Sequence, residues 1–255
     1  MNRTLVIIAR GIGEPLTNSM LKTYLQPYLP DTEYEFIELP WSAEYGPVPS
    51  VWGDPFENSI GEGEQLAIDW CRNDFRDRRV VLAGYSGGAE LMGNVLARLA
   101  AETPSHGVVA GLLLSDPSQP KGLPETGGKY GIRGSREVGE SIPVRWFYEL
   151  KDAICVCTPE PDSLLRIFAD ASSEFSLAGP RAWQGTIARL RFKKFQWWAL
   201  PWHDLNKIKW QVDTAIYEAQ GYLSRGDHVS YPSRVNSNGK PYFEDMADWI
   251  KFISA

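Results

Sequence analysis

The sequence predicts an α/β protein: a central, mostly parallel β-sheet covered by helices on both faces, three layers in all. Three observations point there. Short β-branched apolar runs alternate with stretches of helical periodicity, the signature of βαβ units. Several runs are apolar at nearly every position, as strands covered on both faces must be. One of them leads straight into a glycine-flanked serine and then a helical pattern, VVLAGYSGGAELMG over Val80–Gly93.

Taken in order, Thr4–Ala9 is the first strand, an unbroken apolar run after a short polar start. Thr17–Gln26 carries a helical pattern, and Tyr34–Leu39 reads as the second strand. Leu39–Glu57 is rich in proline, glycine and aromatics and reads as a surface loop near the strand ends. Glu64–Phe75 is helical, with Ala67, Trp70, Cys71 and Phe75 on one stripe. Val80–Gly84 is the third strand and Gly88–Ala101 the helix after it, with Met92, Val95, Leu96 and Leu99 facing the core. Val108–Leu114 and Val144–Leu150 are the fourth and fifth strands, and Tyr242–Ile253 is a closing helix. The chain, 1–255, reads as a single domain, with 163–223 a mainly helical insertion between the fifth strand and the last loop.

Composition narrows the function. With 43% hydrophobic residues, 23% charged and a net charge of −6, the chain has an ordinary globular make-up and no overall basic character to suit nucleic acid. The amino terminus, MNRTLVIIARG, is too short an apolar run for a secretory signal, and no segment is long enough to span a bilayer. Synthesis in the cytoplasm is expected, with any action outside requiring release by other means. The three cysteines, Cys71, Cys155 and Cys157, form neither a disulfide framework nor a zinc array and read as buried apolar residues; 155 and 157 would share one face of a strand. No metal or cofactor is expected.

GYSGG, Gly84–Gly88, fits G-x-S-x-G in the strand-to-helix setting that gives the pattern meaning. Such an elbow strains the serine backbone and brings its neighbours too close for a Cβ, which explains the glycines. Ser86 is the candidate nucleophile. It needs a base, and the chain has three histidines. His106 precedes the fourth strand and so lies at the sheet's amino edge, opposite the serine. His203 lies in the Trp-rich helical stretch. That leaves His228, in the late loop RGDHVSY, as the expected base. Two aspartates end strands beyond the nucleophile, Asp116 and Asp152, and either satisfies the order Ser…Asp…His. In this fold class the acid usually comes two strands on, which favours Asp152; Asp116 is the alternative, its other role being to cap the turn at Pro117. Asp227, next to His228, is poorly placed to face its ring. For an oxyanion, the N–H groups of Gly87 and of Ile12, in ARGIGEP after the first strand, are the expected donors. ARGIGEP lacks the third glycine of a dinucleotide fingerprint.

Together these segments resemble the cutinase-like serine esterases. ARGIGE matches their A-R-G-[ST]-x-E segment, GYSGG their G-Y-S-x-G, DAIC at Asp152 their D-x-[IV]-C, and HVSY at His228 their H-x-x-Y. Within that group the chain is similar to the lysin B family, esterases of phages that infect mycobacteria and their relatives. SDPSQPKG, GGKYGIRG, CTPEPDSLLRIFADASSEF and the long insertion carry that similarity. The resemblance implies an α/β-hydrolase fold and a Ser86–His228–Asp152 triad. It also implies, as substrate, the ester between mycolic acids and arabinogalactan, cut at the host envelope during lysis. A lipase-like or cutinase-like action on smaller esters, a mycolyltransferase, and a binding module with a vestigial site are the rivals.

The chain departs from these relatives at two site positions. Ile12 stands where they carry Thr or Ser, removing a side-chain hydroxyl, and Gly87 stands where many carry Gln. Cysteines bridging the acid and histidine loops have no full counterpart, and the expectation is that targeting comes from the catalytic domain without an added peptidoglycan-binding module. Trp197, Trp198 and Trp202, amid lysines in FKKFQWWALPWHDLNKIKW, would meet either substrate and the outer lipid layer or, by the commoner use of aromatic stripes, the core.

Overall fold

A computed structural model describes residues 3–45, 55–102, 106–166 and 204–254. Five strands form one sheet: β1 (Thr4–Ala9), β2 (Tyr34–Glu38), β3 (Val80–Tyr85), β4 (Val108–Leu114) and β5 (Val144–Phe147). Their order is β2-β1-β3-β4-β5, and every pairing is parallel. This is the α/β three-layer architecture expected. β1 shows how the sequence builds it. Leu5, Ile7 and Ala9 pack into one core cluster with α2 (Phe56–Asp69) and α3 (Gly87–Ala100). Val6 and Ile8 point the other way, into a second cluster with α1 (Met20–Leu25) and the carboxy-terminal helix. Both faces are covered, so the strand is apolar throughout.

The sheet order reverses direction between β1 and β3, and parallel strands with such a switch leave a crevice at their carboxyl ends. The loops carrying ARGIGE and GYSGG leave β1 and β3 at that point.

Element edges differ from expectation where local chemistry is decisive. α1 starts at Met20 because Ser19 caps it, its side chain accepting the Lys22 N–H. α2 starts at Phe56, eight residues before the sequence pattern suggests, following Pro55. Gly61 and Gly63 hide its first turns. Gly63 is required by packing: a Cβ there would collide with Leu91 of α3 and crowd Trp41. α2 then passes into a single π turn, Trp70–Asp74. β5 stops at Phe147, three residues short. Within 163–223 the described residues are 163–166 and 204–223, the latter holding α4 (Leu205–Leu223), capped by Asp204, and the chain closes with α5 (Tyr242–Ser254). Cys155 and Cys157 lie on no strand; Cys157 makes only an isolated bridge to Tyr130. All three cysteines are free and buried, and burial pushes the Cys71 thiol up to about 12. Among the described residues no helix is long and apolar enough to cross a membrane.

Candidate active site

Ser86 has φ 54° and ψ −122°, a conformation that side-chain-bearing residues avoid, and it sits between β3 and α3. The glycines around it hold it there. A Cβ on Gly84 would collide with the Gly88 backbone, and one on Gly88 with the carbonyls of Ala9 and Arg10. The turn is thus clamped against the end of β1, and Ser86 N–H donates to Leu114 O on β4 (3.0 Å). The serine is left half-buried at the amino end of a 14-residue helix.

His228 arrives from the loop after α4 and is 5% exposed. Its Nε2 lies 2.8 Å from Ser86 Oγ, and its Nδ1 lies 3.0 Å from Asp152 Oδ2. The backbone of the histidine is held by Tyr85, whose hydroxyl donates to His228 O (2.8 Å) and whose ring stacks on the imidazole at 5.1 Å. The Tyr222 ring lies 5.3 Å away on a tilt.

Asp152 is fully enclosed, and its oxygens are saturated with donors. Oδ1 accepts the Ile154 N–H (3.1 Å). Oδ2 accepts the hydroxyls of Ser115 (2.5 Å) and Tyr231 (2.7 Å) as well as facing His228. Burial works to raise this carboxyl. The His228 imidazole and the two hydroxyls outweigh it and hold Asp152 below the usual carboxylate range.

The alternative acid goes elsewhere. Asp116 binds Arg136 Nη2 (2.5 Å) and the Trp146 indole N–H (3.0 Å), and its Oδ1 accepts the Ser118 N–H as a turn cap. Burial raises the carboxyls of both Asp116 and its neighbour Glu90, with Arg136 opposing. Asp116→Asn is therefore expected to leave ester turnover within a few-fold of the parent. It should cost about 1–3 kcal/mol of stability, measured as a shift in the urea midpoint, because one charge-assisted bond to Arg136 is lost while Glu90 still faces the guanidinium at 3.8 Å. Asp227 is likewise committed, ion-paired to Arg225 and Arg234. His106 lies before β4, its Nδ1 accepting the Val108 N–H (3.3 Å). His203, Trp197, Trp198 and Trp202 lie outside the described residues.

In the ARGIGE loop, Gly11 donates its N–H to Glu14 Oε2 (2.7 Å), Gly13 to Ala43 O (3.1 Å) and Glu14 to Gly11 O (3.2 Å). Glu14 Oε1 also takes the Met20 N–H (2.9 Å), pinning the loop to α1. The Ile12 N–H has no acceptor among the described residues. Gly87 opens α3, so its N–H has no partner within the helix. The Ile12 side chain lies against Gly87, where a Cβ on the glycine would meet it at 2.8 Å. Ile12, from the loop after β1, and Gly87, at the start of α3, thus line the same cavity as the serine.

A cavity of about 480 Å³ is lined by Ser86, His228 and both of these loops. Its other walls are largely apolar, including Met20, Phe56, Ile132, Ile154 and Leu165; Glu14 and Arg133 are its charged members. Arg133 is engaged by Glu57 at 2.6 Å. Among the described residues no cluster of histidine, cysteine or carboxylate side chains could hold a metal ion.

An α/β sheet with a strained serine at its switch point, an imidazole and a buried carboxylate in one hydrogen-bonded line defines the class of site. Comparisons with protein-family models and with curated proteins find no match. Solved structures of similar shape include a cutinase-like protein from Cryptococcus sp., at 18% identity over 60% of this chain and 78% of that one, with a TM-score of 0.48. The catalytic core domain of acetyl xylan esterase from Trichoderma reesei aligns at 20% identity over 62% and 87%, with a TM-score of 0.43. An acetylxylan esterase structure at 0.90 Å aligns at 17% identity over 74% and 96%, with a TM-score of 0.42. The functional reading rests on the residues of the site rather than on this distant likeness.

Of the residues singled out in the sequence, Ser86, His228 and Asp152 meet within hydrogen-bond distance, and Ile12 and Gly87 line the same cavity. Sequence reasoning misses Ser115, Tyr231, Tyr85 and Glu14, which hold those residues in place. Tyr85 and Glu14 stand within the motifs GYSGG and ARGIGE, and Tyr231 within HVSY. Nothing local marks Ser115.

Proposed function

We propose that this chain is a serine-dependent carboxylic ester hydrolase of the cutinase-like kind. One observation carries the reading: the unbroken line from Ser86 Oγ through the His228 ring to Asp152, at 2.8 and 3.0 Å, beside an apolar cavity. In the first step His228 Nε2 takes the Ser86 proton while Oγ forms a bond to the ester carbonyl carbon. The carbonyl oxygen becomes an oxyanion facing the N–H groups of Ile12 and Gly87. The tetrahedral species then breaks its bond to the alcohol oxygen, which leaves with the proton from Nε2–H. Water repeats the sequence on the acyl-serine and releases the acid. Asp152 stays ionised throughout and balances the imidazolium. The test is labelling by a fluorophosphonate, expected to add one adduct at Ser86 and to stop p-nitrophenyl ester turnover. An unlabelled serine beside retained turnover would overturn the mechanism.

The substrate reading is finer. Motif similarity to the lysin B family, together with a cavity fit for an apolar acyl group, supports the mycolyl–arabinogalactan ester as the natural bond. On this reading the protein is phage-encoded, made in the host cytoplasm and active at the host envelope during lysis. Contact with the outer lipid layer is supported by α4, which exposes Trp210, Ile216, Tyr217 and Tyr222 while burying Gln211 and Glu218. Incubation with purified mycolyl-arabinogalactan is expected to release free mycolic acid. Rapid turnover of butyryl esters with no mycolic acid released would make it a small-ester cutinase or lipase, and acyl transfer to an added sugar would make it a transferase.

A further inference from the structure

We infer that Ser115 is a positioning residue that sets the tautomer and ring angle of His228 through its own hydroxyl. The inference rests on the esterase reading of the site.

Ser115 follows β4 and is completely buried. Its φ is 53°, in the left-handed region that favours glycine. Its neighbours fix it from both sides: Ser86 N–H donates to Leu114 O, and Ser115 N–H donates to Phe147 O (2.9 Å) at the end of β5. The position therefore lies between the strand that carries the nucleophile and the loop that carries the acid. A glycine there would satisfy the backbone. A serine needs a reason, and its side chain supplies one.

Ser115 Oγ is 2.5 Å from Asp152 Oδ2 and 3.0 Å from His228 Nδ1. A serine hydroxyl has one proton to give, and the carboxylate takes it. Only lone pairs then face the ring, so Nδ1 must approach as N–H. That N–H is shared between Oδ2 and Oγ, each at 3.0 Å. With the proton on Nδ1, Nε2 is left as an acceptor toward Ser86, the tautomer a general base requires. Two acceptors at Nδ1 also restrict ring rotation more than one would. Tyr231 donates to the same carboxylate oxygen but makes no hydrogen bond to a ring nitrogen, so it holds Asp152 and does not duplicate this role.

The test compares Ser115→Gly and Ser115→Ala with the parent on p-nitrophenyl butyrate. Both are expected to lose about tenfold in kcat, the worth of one hydrogen bond, with KM within twofold. Glycine is at ease at this φ, so S115G should melt higher than S115A, which loses the same hydroxyl but keeps the strain, even as both lose activity. A merely structural serine predicts the opposite, with S115G as active as the parent and S115A impaired only as far as it is destabilised. S115G within twofold of parental kcat, or a loss that falls on KM alone, overturns the inference. If the parent itself neither turns over ester nor takes the phosphonate at Ser86, the esterase reading fails and this one with it. An active parent with an unaffected S115G removes this inference alone.

Discussion

Ser86→Ala is expected to lower kcat on a p-nitrophenyl ester by about 10⁵–10⁶-fold and to abolish phosphonate labelling. The size comes from what surrounds the hydroxyl. The other hydroxyl against the imidazole is that of Ser115, which is on the Nδ1 side and wholly buried, so it cannot replace Oγ as nucleophile. What survives is the cavity and, on the proposed mechanism, the Ile12 and Gly87 donors, which would bind and polarise an ester without attacking it. The fold should be indifferent to the change, because the elbow is shaped by the Gly84 and Gly88 contacts and not by Oγ. Ser86→Gly goes a step further. Relieving a φ of 54° should recover part of the roughly 1–3 kcal/mol such a conformation costs, at about 2–4 °C of melting temperature per kcal/mol. A dead enzyme that melts higher is the signature of strain kept for function. S86A turnover within tenfold of the parent would mean that another group attacks, and the site would need a different chemistry.

What the sequence makes legible is what depends on local pattern. β1 and β3 are buried at every position because helices cover both faces, and their near-unbroken apolar runs are readable without coordinates. The glycines around Ser86 are readable because backbone crowding leaves few other residues possible. His228 stands out because the chain has so few histidines, which is luck of composition as much as physics. Asp152 needs more, since Asp116 has the same local setting; what separates them is that Asp116 is consumed by Arg136 and Trp146, partners 20 and 30 residues away. The supporting residues are illegible for the same reason. Ser115 meets His228 across 113 residues and Tyr231 meets Asp152 across 79, and no periodicity encodes such meetings. The start of α2 is hidden because its glycines, one of them fixed by packing on Leu91 and Trp41, mimic a loop composition. The local rules fail where tertiary contact overrides propensity, and here those places cluster around the site.

Asp152→Asn is expected to cost about 10⁴-fold in kcat while leaving substrate binding nearly intact. The asparagine has two ways to sit, and neither serves. With its oxygen on the Ile154 N–H, its amide nitrogen occupies the Oδ2 position and sets two N–H donors, in place of an acceptor, among His228, Ser115 and Tyr231. The two hydroxyls can rotate to accept, but the imidazole must then present Nδ1 as an acceptor and carry its proton on Nε2. That proton faces Ser86 Oγ at 2.8 Å, and the general base is gone. Flipped, the amide nitrogen meets the Ile154 N–H, leaving a buried donor facing a donor. Stability supplies an independent readout. The native Asp152 carboxyl lies below its ordinary value, so it contributes stability above that value which is lost as pH falls through the native one. The asparagine variant should lack this part of the acid dependence, flattening the urea midpoint against pH on the acid side. A mild D152N alongside a severe loss in D116N would move the acid role to Asp116. Unchanged kcat in both would remove the carboxylate from the mechanism and leave Ser115 and the ring stacking of Tyr85 to hold the imidazole alone.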